Sequence, residues 1–169
     1  MLVVQMHGEP GSGKSAVARA LGTALPAVVL DKDVLKAALL RAGIADPLAG
    51  MASYETLFDV AVAIVRQGHD IIIDCPVFWP MVERGSRRVA DEAGATYVML
   101  ECICPDRDEL RRRLATRDAP ASQPRVPYDF SHTPGTIEPS CERFTLDTTR
   151  PLDEVVAAAL GYIRAGVPR

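Results

Sequence analysis

The sequence predicts an α/β fold built on a doubly wound parallel sheet. Two observations carry this. Short apolar runs rich in β-branched residues alternate along the chain with segments of helical spacing, and charged residues stand at the ends of several runs. Runs without polar alternation suit strands that helices cover on both faces. Residues 1–169 are expected to form one domain, long enough to bury a sizeable core, and aliphatic side chains must fill it because aromatic residues are scarce.

Residues 2–7, Leu-Val-Val-Gln-Met-His, are the first such run and stop at Gly8. From Gly13 to about Leu25, Val17, Leu21 and Leu25 recur at helical spacing with small alanines between them, and Pro26 ends the helix. Residues 27–30 predict a second strand, followed at once by Asp31-Lys32-Asp33. Residues 33–41 read as a helix with Asp31 or Asp33 available as its cap. Gly43, Pro47 and Gly50 predict a break, and residues 53–67 a second helix carrying Leu57, Val60, Ala61, Ile64 and Val65 on one face and ending at Gly68. The segment Asp70-Ile71-Ile72-Ile73-Asp74-Cys75-Pro76 is a core strand with an aspartate at its exit.

Residues 81–93 predict a helix that stops at Gly94, residues 96–103 another strand, and residues 106–117 a strongly charged helix. From 118 to 140 the periodicity is lost, with Pro120, Pro124, Pro127, Pro134 and Pro139 punctuating a polar stretch. An irregular segment of that length predicts a functional lid or a disordered stretch, and the lid region is expected over about 106–140. Residues 143–146 and 151–164 predict a last short strand and an amphipathic helix with Pro151 in its first turn.

The chemistry is concentrated at the first strand–helix junction. Gly8-Glu9-Pro10-Gly11-Ser12-Gly13-Lys14-Ser15 fits GxxxxGK[ST] at every fixed position, with a strand before it and a helix after it. Such a loop turns its backbone N–H groups onto an anion, and the helix it opens favours negative charge at the same point. Gly8, Gly11, Ser12, Gly13, Lys14 and Ser15 are therefore candidate nucleotide-binding residues. Lys14 is suited to the β- and γ-phosphates as a point charge and Ser15 to Mg²⁺ as a hydroxyl ligand.

Asp74, closing an all-isoleucine strand, stands where a carboxylate can hold Mg²⁺ directly or through water; the plainer reading is a strand-ending turn residue. Asp31 and Asp33 follow the second strand. A carboxylate there can take the proton of a hydroxyl attacking a γ-phosphoryl group, with Asp33 the preferred base and Asp31 capping or supporting. Both could instead serve only as caps. Arg111, Arg112, Arg113 and Arg117 crowd the charged helix, where 113 and 117 share a face and suit a purine plane or phosphate oxygens. A solvated face paired with Asp106, Asp108 and Glu109 is the competing reading, more so for Arg111 and Arg112. Phe78 and Trp79 after Asp74 suit an apolar wall for an acceptor, or simple core packing. His7 and His69 fit structural roles at strand ends, while His132, Arg125 and Tyr128 lie in the Pro-rich stretch.

A net charge of −3 and an absence of lysine clusters make a nucleic acid backbone an improbable main partner. Only three of nineteen basic residues are lysines, Lys14, Lys32 and Lys36, and all fall at the phosphate and substrate segments. Cys75, Cys102, Cys104 and Cys141 show neither a CxxC pair nor zinc-site spacing, which fits a reduced cytoplasmic setting. The first apolar run is too short for a signal sequence, no later run is expected to reach the ~20 residues of a membrane span, and the chain is expected to be soluble.

With GEPGSGKS after the first strand, DKDVLK after the second, IIIDCP at the third, RLATR in the charged helix and LDTTRPLDEV near the end, the sequence resembles the small P-loop kinases. That group includes adenylylsulfate kinase, gluconate kinase, the kinase domain of polynucleotide kinase and chloramphenicol phosphotransferase. The resemblance covers nearly the whole chain and implies a five-stranded sheet of order 2-3-1-4-5 with a short lid. It implies that Asp33 matches the hydroxyl-activating aspartate and Lys36 a basic residue that contacts acceptor in some members. Arg113 and Arg117 look like the adenine-stacking and phosphate-binding arginines. Thr148 to Pro151, including Arg150, look like the loop that borders the base.

The acceptor signatures of adenylylsulfate kinase and gluconate kinase are missing, and the segment after IIIDCP is closest in character to antibiotic-phosphorylating members. The resulting expectation is an enzyme dependent on ATP and Mg²⁺ that transfers the γ-phosphoryl group to an alcohol of a small molecule: a metabolite, nucleoside or antibiotic. Catalysis would fall to Asp33, Lys14 and Arg117, metal binding to Ser15 and Asp74, and acceptor binding to Asp31, Lys36, Phe78 and Trp79. The alternatives are a nucleic acid 5′-hydroxyl kinase, which needs a basic groove leading to Asp33, and a regulatory nucleotide-binding ATPase without transfer to a partner. A GTPase of the latter type would carry a guanine-reading NKxD segment, which is absent.

Overall fold

The computed structural model of the chain describes residues 1–117, 127, 133 and 135–166. Five strands, β1 (Leu2–His7), β2 (Val28–Asp31), β3 (Ile71–Asp74), β4 (Thr96–Ile103) and β5 (Phe144–Asp147), form one sheet of order β2-β3-β1-β4-β5 in which every pairing is parallel. Six helices intervene: α1 (Lys14–Ala24), α2 (Lys32–Arg41), α3 (Asp46–Val65), α4 (Pro80–Ala93), α5 (Arg107–Thr116) and α6 (Leu152–Arg164). This is the doubly wound arrangement that the sequence predicts, in the strand order that the resemblance to small P-loop kinases implies.

The strands divide the core by parity. Val3, Ile71, Ile73 and Met99 face α3 and α4, where they meet Leu57, Phe58, Ala61, Val65, Val82 and Val89. Val4, Met6, Ile72, Val98 and Leu100 face α1 and α6, against Val17, Leu21, Val155 and Ala159. Successive strand residues point to opposite faces, so each all-apolar run feeds two cores. Each fully buried side chain of this size contributes about 1.5–3 kcal/mol through removal from water. The isoleucines of β3 and Val3, Val4 and Met6 of β1 are completely inaccessible.

Most boundaries fall within a residue or two of expectation. Helix α4 ends at Gly94 in the left-handed conformation (φ 58°), as the glycine signal predicts. The exception is α3, which begins at Asp46 rather than residue 53. The expected break at Gly43, Pro47 and Gly50 shrinks to the few residues between α2 and α3. Pro47 occupies the first turn, where its missing N–H costs nothing, and Gly50 lies inside the helix with its carbonyl accepting the Ser53 hydroxyl (2.7 Å). With the added turns, α3 is among the described residues long and apolar enough to cross a membrane by length and composition alone, a test that a core helix also passes. Its buried face, including Leu57, Phe58, Ala61, Val62 and Val65, packs in the core beside the sheet.

At the end of β1, the buried His7 accepts the Val77 N–H on Nδ1 (3.1 Å) and meets the Phe78 ring edge-on at 5.3 Å. Burial lowers its pKa from 6.5 to about 4, despite the opposing pull of Glu101. The unfolded chain thus binds the proton more strongly between these values. The contribution of neutral His7 is fully present above pH 6.5 and is lost as pH falls towards 4. Relative to His7→Gln, the wild type should lose about 2 kcal/mol of stability between pH 7 and pH 5, measured by urea unfolding. A pH-independent gap between the two proteins would refute this account.

Candidate active site

Parallel strands deliver their C-terminal residues to one edge, and the loop after β1, the central strand, opens at the middle of that edge. The loop between β1 and α1 fits this place only because it contains glycine. Gly8 has φ 129°, and a Cβ there would lie 2.2 Å from the Cys102 carbonyl oxygen of β4. At Gly11 a Cβ would press on Leu114 and Leu110 of α5 at 2.9 and 3.0 Å, so this helix packs directly on the loop. Helix α1 then begins with neither a side-chain cap nor an acidic residue in its first turn. Its orphan N–H groups and positive dipole end face the site without competition from a protein carboxylate.

Lys14 is folded into the same curve, with Nζ donating to the carbonyls of Gly8 and Glu9, both at 2.8 Å. Burial pulls its ammonium pKa down, while Asp74 and Asp33 counter that pull. Asp31 and Asp74 are register partners on the adjacent strands β2 and β3. Burial raises the carboxyl pKa of each; the Ser15 hydroxyl, donating to Asp74, and the Asp33 backbone N–H, donating to Asp31, oppose it. The Asp33 N–H bond to Asp31 Oδ1 (2.8 Å) caps α2, so Asp31 takes the capping position. Asp33 lies two residues further on, with Lys32 Nζ 2.7 Å from its carboxylate.

A cavity of about 570 Å³ joins these groups. Of the residues singled out in the sequence, Gly11, Gly13, Lys14, Ser15, Asp31, Asp33, Lys36, Asp74, Phe78, Trp79, Arg113 and Arg117 line it. Gly8 and Ser12 lie behind it in the body of the loop, and Thr148 behind Gly13. Arg150 is exposed at the start of α6 and pairs with Glu154 (2.7 Å), outside the lining. Arg125, Tyr128 and His132, with most of the expected lid after Arg117, fall outside the described residues.

The arginines of α5 separate as their spacing suggests. Arg111 and Arg112 are exposed and pair with Asp108 and Glu109, the solvated-face reading. Arg113 turns inward, donating from Nε to Glu109 (2.7 Å), from one Nη to Thr148 Oγ1 (2.9 Å) and from the other to the Thr148 carbonyl (2.7 Å). The Thr148 hydroxyl also bonds the carbonyls of Ser12 (2.8 Å) and Ile103 (3.0 Å). One buried side chain thereby joins the loop, the end of β4 and α5.

The cavity also holds Tyr54, which the sequence reasoning missed, and Lys32, which the scarcity of lysine placed at these segments without assigning it a role. Lys32 Nζ lies 5.3 Å from the Tyr54 ring centroid, in cation–π range. All three lysines of the chain line this cavity. Nothing local marks Tyr54, which reaches the site because α3 packs against α2.

The donor set suits a triphosphate with Mg²⁺. Backbone amides and a buried ammonium meet phosphate oxygens, while a hydroxyl and a carboxylate supply hard oxygen ligands. Among the described residues no group of three or more His, Cys, Asp or Glu could hold a metal by itself. That matches the chemistry of Mg²⁺, which takes one or two protein oxygens and completes its shell with phosphates and water.

A phosphate-binding loop on the central strand of a 2-3-1-4-5 parallel sheet defines a P-loop α/β protein. The chain belongs to the AAA domain family, whose model matches residues 3–129. No curated protein matches the sequence. Among solved structures it is similar to a proposed kinase from Chloroflexus aurantiacus at 21% identity and TM-score 0.73, covering 98% of this chain and 97% of that one. It is also similar to the APS kinase of Mycobacterium tuberculosis in complex with AMPPNP and APS (24% identity, TM-score 0.66, 96% of each chain). A gluconokinase from Sinorhizobium meliloti matches at 16% identity and TM-score 0.62, over 96% of this chain and 91% of that one. At these identities the likeness is one of fold.

Replacing Thr148 by valine keeps its shape and the backbone N–H bond to the Ile103 carbonyl, but leaves the Ser12 carbonyl without its hydroxyl donor and one Arg113 Nη without its acceptor. Unfolding stability should fall by about 1–3 kcal/mol in urea titrations. An unchanged midpoint would mean that the hydroxyl does not hold the junction.

Proposed function

We propose that the chain is a kinase that transfers the γ-phosphoryl group of ATP, with Mg²⁺, to a hydroxyl of a small molecule. The observation that carries this is the shared cavity, which Lys14, Ser15 and Asp74 line together with Asp33, Lys36, Phe78 and Trp79. A phosphate donor and a hydroxyl acceptor held there would meet between a phosphate-binding loop and a carboxylate. That the fold resembles proteins described as APS kinase and gluconokinase adds weight, as does the binding of AMPPNP by the former.

In this reading Lys14 and the loop amides neutralise charge on the phosphates, and Ser15 and Asp74 would hold the metal, whose chemistry is to shield the phosphate oxygens. Asp33 accepts the acceptor's hydroxyl proton as the new bond from oxygen to the γ-phosphorus forms. The bond from that phosphorus to the bridging oxygen breaks, and ADP leaves. Arg113 and Arg117 serve the base and phosphate side, while Phe78, Trp79 and Tyr54 offer apolar surface to the acceptor. Four free cysteines suit a reducing, cytoplasmic setting.

The test begins with hydroxylated metabolites, nucleosides and antibiotics screened for acceptor-dependent ADP release. With the acceptor so found, Asp33→Asn should keep ATP affinity and lose about 10²–10⁴-fold in turnover, the usual contribution of a positioned base. Lys14→Ala should instead abolish nucleotide binding. Undiminished turnover in Asp33→Asn would remove Asp33 from the base role, and hydrolysis that no acceptor accelerates would overturn the kinase reading.

A further inference from the structure

The aromatic part of the cavity is carried by a short connection between β3 and α4. Residues 75–79 have no regular hydrogen-bond ladder of their own. The conformation of such a segment is set by whatever its backbone and its flanks are tied to. Below, the Val77 N–H donates to His7. Above, the Phe78 carbonyl accepts the N–H of Ile137, a residue 59 positions later, at 2.8 Å. Just beyond Trp79, the first turn of α4 carries Glu83, a carboxylate that is only 7% exposed.

A buried carboxylate outside the cavity lining calls for an explanation, because burial of charge is costly unless partners offset it. Glu83 Oε1 accepts the backbone N–H of Ser140 at 3.0 Å, the Ser140 hydroxyl through a short hydrogen bond, and the Arg87 guanidinium at 3.4 Å. Burial pushes its carboxyl pKa up, but the Ser140 hydroxyl and amide and the Arg87 charge outweigh this and hold it below the usual range. Segment 137–140 is thus fastened at one end to the connection, at Phe78, and at the other to the first turn of α4 that follows Trp79, at Glu83.

We propose that Glu83 is a positioning residue for acceptor recognition: by gripping Ser140 it clamps segment 137–140 across the β3–α4 connection and so fixes the Phe78–Trp79 wall of the cavity. It touches neither the phosphate-binding loop nor the cavity, so its influence should fall on the acceptor and leave nucleotide affinity alone. The inference rests on the kinase reading for its link to an acceptor, but the clamp itself is a statement about the wall.

Trp79 is the only tryptophan in the chain, so its emission reports on this wall without any assay of activity. Three variants decide the matter. Glu83→Leu removes the acceptor atom at similar volume, Ser140→Ala removes only the hydroxyl of an exposed residue, and Glu83→Gln keeps a carbonyl oxygen for the Ser140 N–H. In Glu83→Leu, acrylamide quenching of Trp79 should rise about twofold and the KM for the acceptor found by ADP release about tenfold, the loss expected when a positioning hydrogen bond goes, with KM for ATP within about twofold of wild type. Ser140→Ala should shift both in the same direction by less, and Glu83→Gln should restore most of each.

Wild-type quenching and acceptor KM in a folded Glu83→Leu, or an equal rise in both KM values, would overturn the proposal. If Glu83→Leu does not fold, Ser140→Ala decides by the same two measurements. If the wild type turns over no acceptor, the kinase reading fails by itself. Trp79 quenching then decides the clamp: unchanged quenching in the variants overturns it, and raised quenching upholds it.

Discussion

The closeness with which the phosphate-binding loop is boxed in sets the geometry of everything around it. Behind Gly8 lies the Cys102 carbonyl of β4, above Gly11 lie Leu110 and Leu114 of α5, and beside Gly13 lies the Thr148 side chain at 3.2 Å. None of these neighbours has room to retreat, because Cys102, Leu110 and Leu114 are themselves buried and Thr148 is bonded on three sides. A loop held this tightly presents its amides in one arrangement, the preorganisation that anion binding needs. The placement of α5, and with it of Arg113, follows from the same contacts.

The cavity brings charges of both signs together on one surface. Lys14, Lys32 and Lys36 line it with Asp31, Asp33 and Asp74, and two of the lysines pair with carboxylates: Lys32 with Asp33 and Lys36 with Asp46 at 2.6 Å. Elsewhere the chain meets its need for positive charge with arginine, mostly in exposed pairs on α4 and α5. A compact ammonium that can move by an ångström or two does something a rigid guanidinium fork does not, and lysine is kept where phosphate and hydroxyl chemistry would require it.

The fold was largely legible because its signals are local. The apolar runs of β1, β3 and β4 are continuous, Gly94 and Pro151 stand where helices stop and start, and the loop motif is contiguous. Sequence reasoning failed where a local signal was overridden or where there was none. Pro47 read as a breaker but sits in a first helical turn, so α3 gained two turns that the hydrophobic face alone did not suggest. Arg111 and Arg113 are identical in type and two positions apart, yet only the helix phase sends one to solvent and the other to Thr148. Glu83 and Ser140 meet across 57 positions, and Tyr54 reaches the cavity through the packing of two helices; neither leaves a trace in spacing.

Helix α5 is fastened to the loop at more than one point. Arg107 at its start pairs with Glu9 at 2.7 Å, Leu110 and Leu114 rest on Gly11, and Arg113 grips Thr148 near its end. A rigid swing of this helix would break all of these at once and bare two buried leucines. Mechanically it is part of the floor and not of a cover. The helix ends at Arg117, whose backbone is extended, with φ −65° and ψ 139°. Arg113 and Arg117, one turn apart in sequence and both lining the cavity, therefore differ in how they are held: the first sits within the helix and is anchored to Thr148 beside the loop, the second stands on extended backbone at the helix end.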